Sequence, residues 1–340
     1  MRWISLSLLL LSIAVAVAGT HLASLYQKEL LQPLALEEDQ LFVVRPGQGF
    51  RQIIGEMQDR GWIGHPWLVE AHARYHDISG RLQAGEYRVP ADITTAELLD
   101  KIARGAVVRH QVTIPEGWTA QQFFDAVQAH EALRAMAEPV DPEQLMAMLG
   151  RPEMHPEGWF LPDTYIFSRD TPAERIIRMA HEAMERALER AWEDRAGEHP
   201  LESPYELLIL ASIVEKETGQ AAERDLVAGV FVNRLRRGMR LQTDPTLLYP
   251  LGPDVTRLTR AELQRDHPYN TYTRDGLPPT PIALPGQASI IAAARPAETD
   301  ALFFVSRKDG THQFSRTYAE HRAAVIKYQL NGDASRYGRR

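Results

Sequence analysis

The sequence predicts an α+β protein: one apolar N-terminal helix of membrane-spanning length, then mixed α+β units, the last carrying a helix that ends in paired glutamates. Three observations lead there. No charge lies between Arg2 and Lys28. From Leu41 onward, short strand-like runs alternate with helical stretches, separated by Gly/Pro turns. From Ser203 a capped apolar run leads into Glu215-Lys216-Glu217. The length of 340 residues suits about two domains. A 24% charged and 44% hydrophobic composition excludes wholesale disorder and a multi-span membrane protein. The formal net charge of −7, with 38 basic against 45 acidic residues, gives no overall pull toward nucleic acid. The absence of cysteine removes disulfides, thiolate nucleophiles, cysteine-ligated zinc and a lipidated N-terminal cysteine.

The apolar run from Ile4 to Gly19, extended weakly through Leu22 and Ala23, is near the length that crosses a bilayer core of roughly 30 Å. Arg2 and the amino terminus favour a cytoplasmic start, with the rest of the chain outside. A cleaved signal peptide is the competing reading, since Ala16-Val17-Ala18 matches the small-residue cleavage pattern. The run is long for a signal h-region of about 7–15 residues, which favours an uncleaved anchor over 1–24. Residues 25–40 are polar with scattered leucines and read as a stalk.

Leu41-Phe42-Val43-Val44 reads as a strand closed by the turn Pro46-Gly47-Gln48-Gly49. Phe50, Ile53, Ile54 and Met57 then share one helical face, and Gly61 stops that helix. Pro66 to His76 reads as a second helix, and Leu82 to Val89 as a strand interrupted by Gly85. Thr94 to Ala103 is a helix with Thr94 and Glu97 at capping-box spacing. These elements define a module over 41–108. Val112 to Thr119 and a helix from Ala120 to His130 partly echo the strand, Pro-Gly turn and helix of Val43 to Met57. They open a connecting α+β region, 109–200. Within it, Pro156 to Tyr165 is aromatic and turn-rich, and Pro172 to Arg195 is a long amphipathic helix with Ile176, Ile177, Ala180, Met184, Leu188 and Trp192 inward.

The chemistry concentrates in 201–330, before a tail at 331–340. Ser203 can cap a helix, Pro204 suits its first position, Glu206 stands at capping-box spacing, and Gly219 is a natural stop. Glu215 and Glu217, two apart, point to nearly opposite sides. Glu217 follows Leu210, Ile213 and Val214 on an apolar face, whereas Glu215 follows Ala211 and Ser212 on a more polar line. Burial and the negative helix end would both favour a proton on Glu217 near neutral pH. The competing reading is a solvated helix end, with glutamates paired to Lys216 and Arg224. Downstream, Leu241 to Thr246, Tyr269 to Tyr272 and Gly276 to Ile282 put amides, hydroxyls and aromatic rings on loops, the mixture that binds sugars. Turn-forming asparagine and core tyrosine are the alternatives there.

The sequence resembles the bacterial YceG-like endolytic murein transglycosylase family. The resemblance is carried by Glu157-Gly158-Trp159-Phe160-Leu161-Pro162-Asp163-Thr164-Tyr165, Ala211-Ser212-Ile213-Val214-Glu215-Lys216-Glu217-Thr218, Asn233-Arg234-Leu235, Leu241-Gln242-Thr243-Asp244-Pro245-Thr246, Tyr269-Asn270-Thr271-Tyr272 and Gly276-Leu277-Pro278-Pro279. It implies a single-pass inner-membrane protein with a cytoplasmic N-terminus, a LysM-like module at 41–108 and a periplasmic catalytic domain. It implies cleavage of the β-1,4 bond between N-acetylmuramic acid and N-acetylglucosamine within nascent glycan strands, leaving 1,6-anhydro ends and so helping to terminate glycan elongation. The family's essential glutamate aligns with Glu217; a slip of two would place it at Glu215. Gln242, Asp244, Asn270 and Tyr272 are candidate glycan-binding residues. Contact with cell-wall synthases is a further expectation of the resemblance. No cofactor, metal or nucleic-acid partner is expected.

Three other chemistries lack support. His72 and His76 have the i, i+4 spacing of a metal pair, but Ala73 stands where a zincin has glutamate. No phosphate-binding Gly-rich loop occurs, and Ser212 lies in no Gly-x-Ser-x-Gly elbow. Two alternatives to the transglycosylase stay open: a non-enzymatic membrane-anchored peptidoglycan-binding scaffold, and a muramidase-type hydrolase with Asp244 as its second carboxylate.

Overall fold

The computed structural model describes residues 2–136 and 142–337. The chain is mixed α+β with one long apolar helix at its N-terminus, α1 (Arg2–Tyr26). Leu6–Leu31 has a mean hydropathy of 2.1 in its most apolar window, and none of that window is covered by protein. The folded part divides into two compact units: residues 1–110 with 166–171, and residues 111–165 with 172–340.

In the first unit α1 passes into a π-helical turn, Gln27–Leu31. Strand β1 (Gln40–Val44), helices α2 (Phe50–Asp59) and α3 (Pro66–Tyr75), strand β2 (Gly85–Val89) and helix α4 (Thr95–Ala103) follow. β1 and β2 pair antiparallel with Gln40 opposite Val89 and Val44 opposite Gly85. Alternate strand residues Phe42, Val44, Tyr87 and Val89 meet Ile53 and Met57 of α2 and Leu98 of α4 in one core. The α4 capping box forms as its sequence predicts, with Thr94 Oγ1 accepting from the Glu97 amide. Gly85, at φ +150°, is required by packing, because a Cβ there would come within 2.4 Å of Val107. The stalk reading of 25–40 is corrected: Leu30 is fully buried in this core, with Leu34 and Leu36 packed against it. Scattered leucines between polar residues hid a docking segment.

The second unit contains most of β3 (Arg109–Thr113), then α5 (Ala120–Gln128), β4 (Leu133–Arg134) and α6 (Pro142–Met148). Next in chain order come β5 (Thr164–Ser168), whose last three residues count with the first unit, and β6 (Thr171–Pro172), divided between the units, then α7 (Ala173–Glu193), α8 (Pro204–Glu217) and α9 (Arg224–Arg236) of the second. The short helices α10 (Asp244–Leu248) and α11 (Arg260–Gln264), α12 (Gln287–Ala294), the hairpin β7 (Phe303–Ser306) and β8 (His312–Ser315), and α13 (Tyr318–Tyr328) complete it. Residues 109–200 are therefore no separate connecting region. Most of them fold with 201–330, because α7 packs on α5, α8 and α12.

Helix α8 is the centre of this unit, with every residue from Leu207 to Val214 buried among α7, α9 and α12. Ser203 caps it as its sequence predicts, accepting from the Glu206 amide at 3.2 Å. The return half of the expected box goes elsewhere: Glu206 Oε2 accepts from the Glu202 amide at 2.6 Å. Nor does Gly219 make a left-handed stop; the helix ends through Thr218 in extended conformation. In α7 the expected inner residues are buried except Trp192, which is partly exposed beneath the Arg195 guanidinium. The expected tail at 331–340 forms a short turn at Ala334–Arg336, and Tyr337 bonds Tyr318 through their hydroxyls; residues 338–340 lie outside the described part.

Candidate active site

The C-terminus of α8 opens into a cleft of about 460 Å³. Its lining includes Glu217, Arg234 of α9, Gln242, Asp244 of α10, Tyr272, and Phe303, Tyr318 and His321 from β7 and α13. Glu217 is thus delivered by the end of a buried apolar helix, a place where a carboxylate has little water to solvate it. Burial is the main cause that pushes its pKa up to about 6. The Asp244 charge adds to this rise, while a hydrogen bond from Thr243 and the charges of His312 and Arg234 oppose it.

Thr243 Oγ1 donates to Glu217 Oε1. Two further buried threonines fix that donor: Thr243 N donates to Thr271 Oγ1 at 3.1 Å, and Thr246 Oγ1 lies 2.9 Å from Thr271 Oγ1. Just before it, Gln242 adopts φ +50°, a left-handed conformation unusual for a residue with a Cβ. Such strain persists only where surrounding contacts enforce it; here the Gln242 amide bonds the Thr271 carbonyl at 3.1 Å. Tyr272 donates its hydroxyl to Asp244 Oδ1, and burial first, then Asp244, pushes the phenol up. Arg234 is buried, with Nε donating to Leu302 O at 2.7 Å and Nη1 to Leu241 O at 2.7 Å. It ties the loop carrying Gln242 to the C-terminal hairpin.

The structure brings Glu217, Gln242, Asp244 and Tyr272 together in this cleft and leaves two other candidates outside its lining. Asn270 is fully buried. Its Nδ2 donates to the carbonyls of Glu262, Leu263 and Arg265, and its Oδ1 accepts from the Tyr272 amide at 2.9 Å. Its amide shapes the loop from inside and has no face toward a glycan. Glu215 Oε2 accepts from Gly286 N at 3.0 Å and Ser289 Oγ at 2.6 Å, satisfying the N-terminus of α12. The solvated-helix-end alternative fails for both glutamates, since each is committed to buried partners.

Sequence reasoning did not nominate Thr243, Arg234, Phe303, Tyr318 or His321. Thr243 and Arg234 stood inside quoted motifs. Tyr318 and His321 stand at i, i+3 just after a Thr317 cap, the one local signal for that wall. Phe303 stacks on His321 with ring centres 5.1 Å apart. His321 Nδ1 is buried without a hydrogen-bond partner among the described residues, and burial together with the Arg234 charge holds its pKa below the usual histidine range.

The model of the YceG-like family matches residues 42–327 of this sequence. The chain belongs to the YceG-like family. This YceG-like chain is 31% identical over 328 residues to an endolytic murein transglycosylase of Bacillus subtilis, covering 90% of each protein. It is 26% identical to an endolytic murein transglycosylase of Streptococcus pneumoniae, across 94% of this chain and 64% of that protein. Among solved structures it is similar to a YceG-like protein of Listeria monocytogenes, with a TM-score of 0.53 and 31% identity over 84% of this chain and 98% of that one.

Proposed function

We propose that this protein is an endolytic murein transglycosylase with Glu217 as its single acid–base group. The observation that carries this reading is a carboxyl with pKa pushed up to about 6, held by Thr243 in a sugar-sized cleft of about 460 Å³. Glu217 donates its proton to the glycosidic oxygen as the bond to the muramoyl C1 breaks. The carboxylate left behind takes the proton of the C6 hydroxyl as O6 bonds C1. One bond forms and one breaks, the proton inventory of Glu217 is restored, and no water enters. Intramolecular attack supplies the nucleophile, so no second carboxylate has to activate water.

Gln242 and Tyr272 are assigned to glycan contact, and Asp244 to raising the proton affinity of Glu217. The strand–helix–helix–strand order of the first unit supports a LysM-like reading of 41–108. Helix α1 is assigned as an uncleaved inner-membrane span with its N-terminus in the cytoplasm, leaving the catalytic unit periplasmic. Cell-wall synthases, which supply nascent strands, are proposed partners.

A hydrolase remains the second reading because Asp244 shares the cleft with Glu217. Digestion of purified glycan in ¹⁸O-water, read by mass spectrometry, separates the two. The expected product is an unlabelled anhydro end, lighter by one water than a hydrolysed end. Label at the new muramoyl C1 from the earliest times would overturn the transglycosylase and make Asp244 the leading second carboxylate. No cleavage at all would favour a scaffold.

A further inference from the structure

We infer that the C-terminal end of α3 is a membrane-seating surface, on which Arg74, Tyr75 and His76 rest against phospholipid headgroups beside the exit of α1. The inference rests on the reading of α1 as a bilayer span. From Leu6 to Tyr26 a helix rises roughly 31 Å, close to the hydrocarbon thickness of about 30 Å. Tyr26 then lies at the boundary between lipid and water, a depth that tyrosine favours.

Two contacts give the direction of α3 from that boundary. Tyr26 Oη lies 2.8 Å from His72 Nδ1, near the C-terminal end of α3. Three residues further from the apolar helix, Glu29 accepts from the amides of Gly64 and His65 at the other end of α3. The chain leaving α1 therefore passes from the C-terminal end of α3 to its N-terminal end, and α3 runs back toward the lipid boundary. The His76 ring lies tilted against that of His72 with centres 4.4 Å apart, and Tyr75 meets His76 edge-on at 5.0 Å, so the aromatic cluster continues from Tyr26 to the tip of the helix.

Among the described residues, none of the first unit covers that tip. Tyr75 is 86% exposed, and Arg74 is exposed without an ion pair among the described residues. Tyrosine and histidine, with apolar bodies and polar ends, and an arginine on a long stem are suited to a headgroup layer. Trp67 is also exposed, but it lies eight residues earlier on α3, about 12 Å back along the helix. It serves as an internal contrast, because the same geometry keeps it in water.

The chain has no cysteine, so single-cysteine variants of the full-length protein take one nitroxide label each. Tyr75→Cys, Arg74→Cys, Trp67→Cys and Leu10→Cys would be reconstituted in vesicles of phosphatidylethanolamine and phosphatidylglycerol. Collisions with oxygen and with a water-soluble nickel chelate report depth. The label at 10 is expected to be oxygen-accessible and shielded from nickel, as the span requires. Labels at 74 and 75 are expected to collide with nickel several-fold less often than the label at 67. Arg74→Cys keeps Tyr75 in place, so loss of the aromatic ring alone cannot erase the result. Equal nickel collisions at 67, 74 and 75, with 10 still shielded, would overturn the seating surface and leave the span intact. Nickel access at 10 would overturn both.

Discussion

Glu217 combines a half-buried, poorly solvated carboxyl, a threonine donor that favours its ionised form and an aspartate that disfavours it, so its titration should respond to each separately. With Glu217 as the proposed acid its protonated form is the working one, so kcat/KM is expected to fall as pH rises through about 6. Thr243→Val removes a bond to the carboxylate and should move that limb upward, along with a loss of rate from poorer positioning. Asp244→Asn removes a negative neighbour and should move it downward. Glu217→Gln should lose about 10²–10⁴-fold in rate with the fold retained. A pH profile unmoved by both neighbours would count against Glu217 as the titrating acid. Glu157 gives a stability effect of its own: buried, accepting from Ala120 N at 2.9 Å and from Tyr249 Oη at 3.0 Å, it is pushed up to about 7, chiefly by burial. A raised carboxyl stabilises the fold fully below its unfolded pKa, and that contribution is lost as pH rises through about 7. Unfolding free energy should therefore fall between about pH 4.5 and 7 in the parent and less steeply in Glu157→Gln, as urea titrations at several pH values would measure. The sequence sets Glu215 on a more polar line than Glu217, and that polar line does not exist in the structure. Ala211 and Ser212 are fully buried, and Glu215 is set apart by Gly286 and Ser289, partners too distant in the chain for any local pattern to reveal.

At the scale of elements, the helices were legible where one side is wet and caps are local: Thr94 and Ser203 both cap where their spacing predicts. Helix α8 is apolar on all sides, so a face argument had little to resolve there. The cleft's far wall escaped notice because β7 and α13 reach Glu217 from about a hundred residues away, a separation over which periodicity carries no signal. The aromatic segment before β5 shows how tightly such distant pieces fit. Gly158 has φ +88°, and a Cβ on it would approach Pro281 Cβ and Cγ to 2.6 Å. Neither the backbone nor the proline ring can yield cheaply, so Gly158→Ala should destabilise the second unit by roughly 2–5 kcal/mol from left-handed strain and overpacking together. Ser203→Ala, which removes only a cap, should cost about 1 kcal/mol. Comparable urea midpoints for the two variants would contradict this ranking.

For the whole molecule, the decisive feature is how the apolar helix joins the folded chain. A stalk would let α1 be removed at any point up to Gln40 without consequence. Instead Leu30 fills the core of the first unit, and Glu29 holds the amides that open α3. A soluble form beginning at Ala23 keeps both, whereas one beginning at Gln32 loses a fully buried leucine and the partner of two backbone donors. Removal of a buried leucine side chain alone costs about 2–5 kcal/mol. The shorter form should therefore unfold at markedly lower urea concentration, while the longer one should match the detergent-solubilised full chain. The same join bears on the fate of the N-terminus. Signal-type cleavage after Ala18 would leave the core intact, so fold stability exerts no pressure against it, and only the length of the apolar run favours retention. Fractionation of a C-terminally tagged chain decides the matter. Full-length protein in the inner membrane, released only by detergent, is expected for a span, while a soluble product starting near Gly19 would replace the anchor with a processed form whose first unit is still complete.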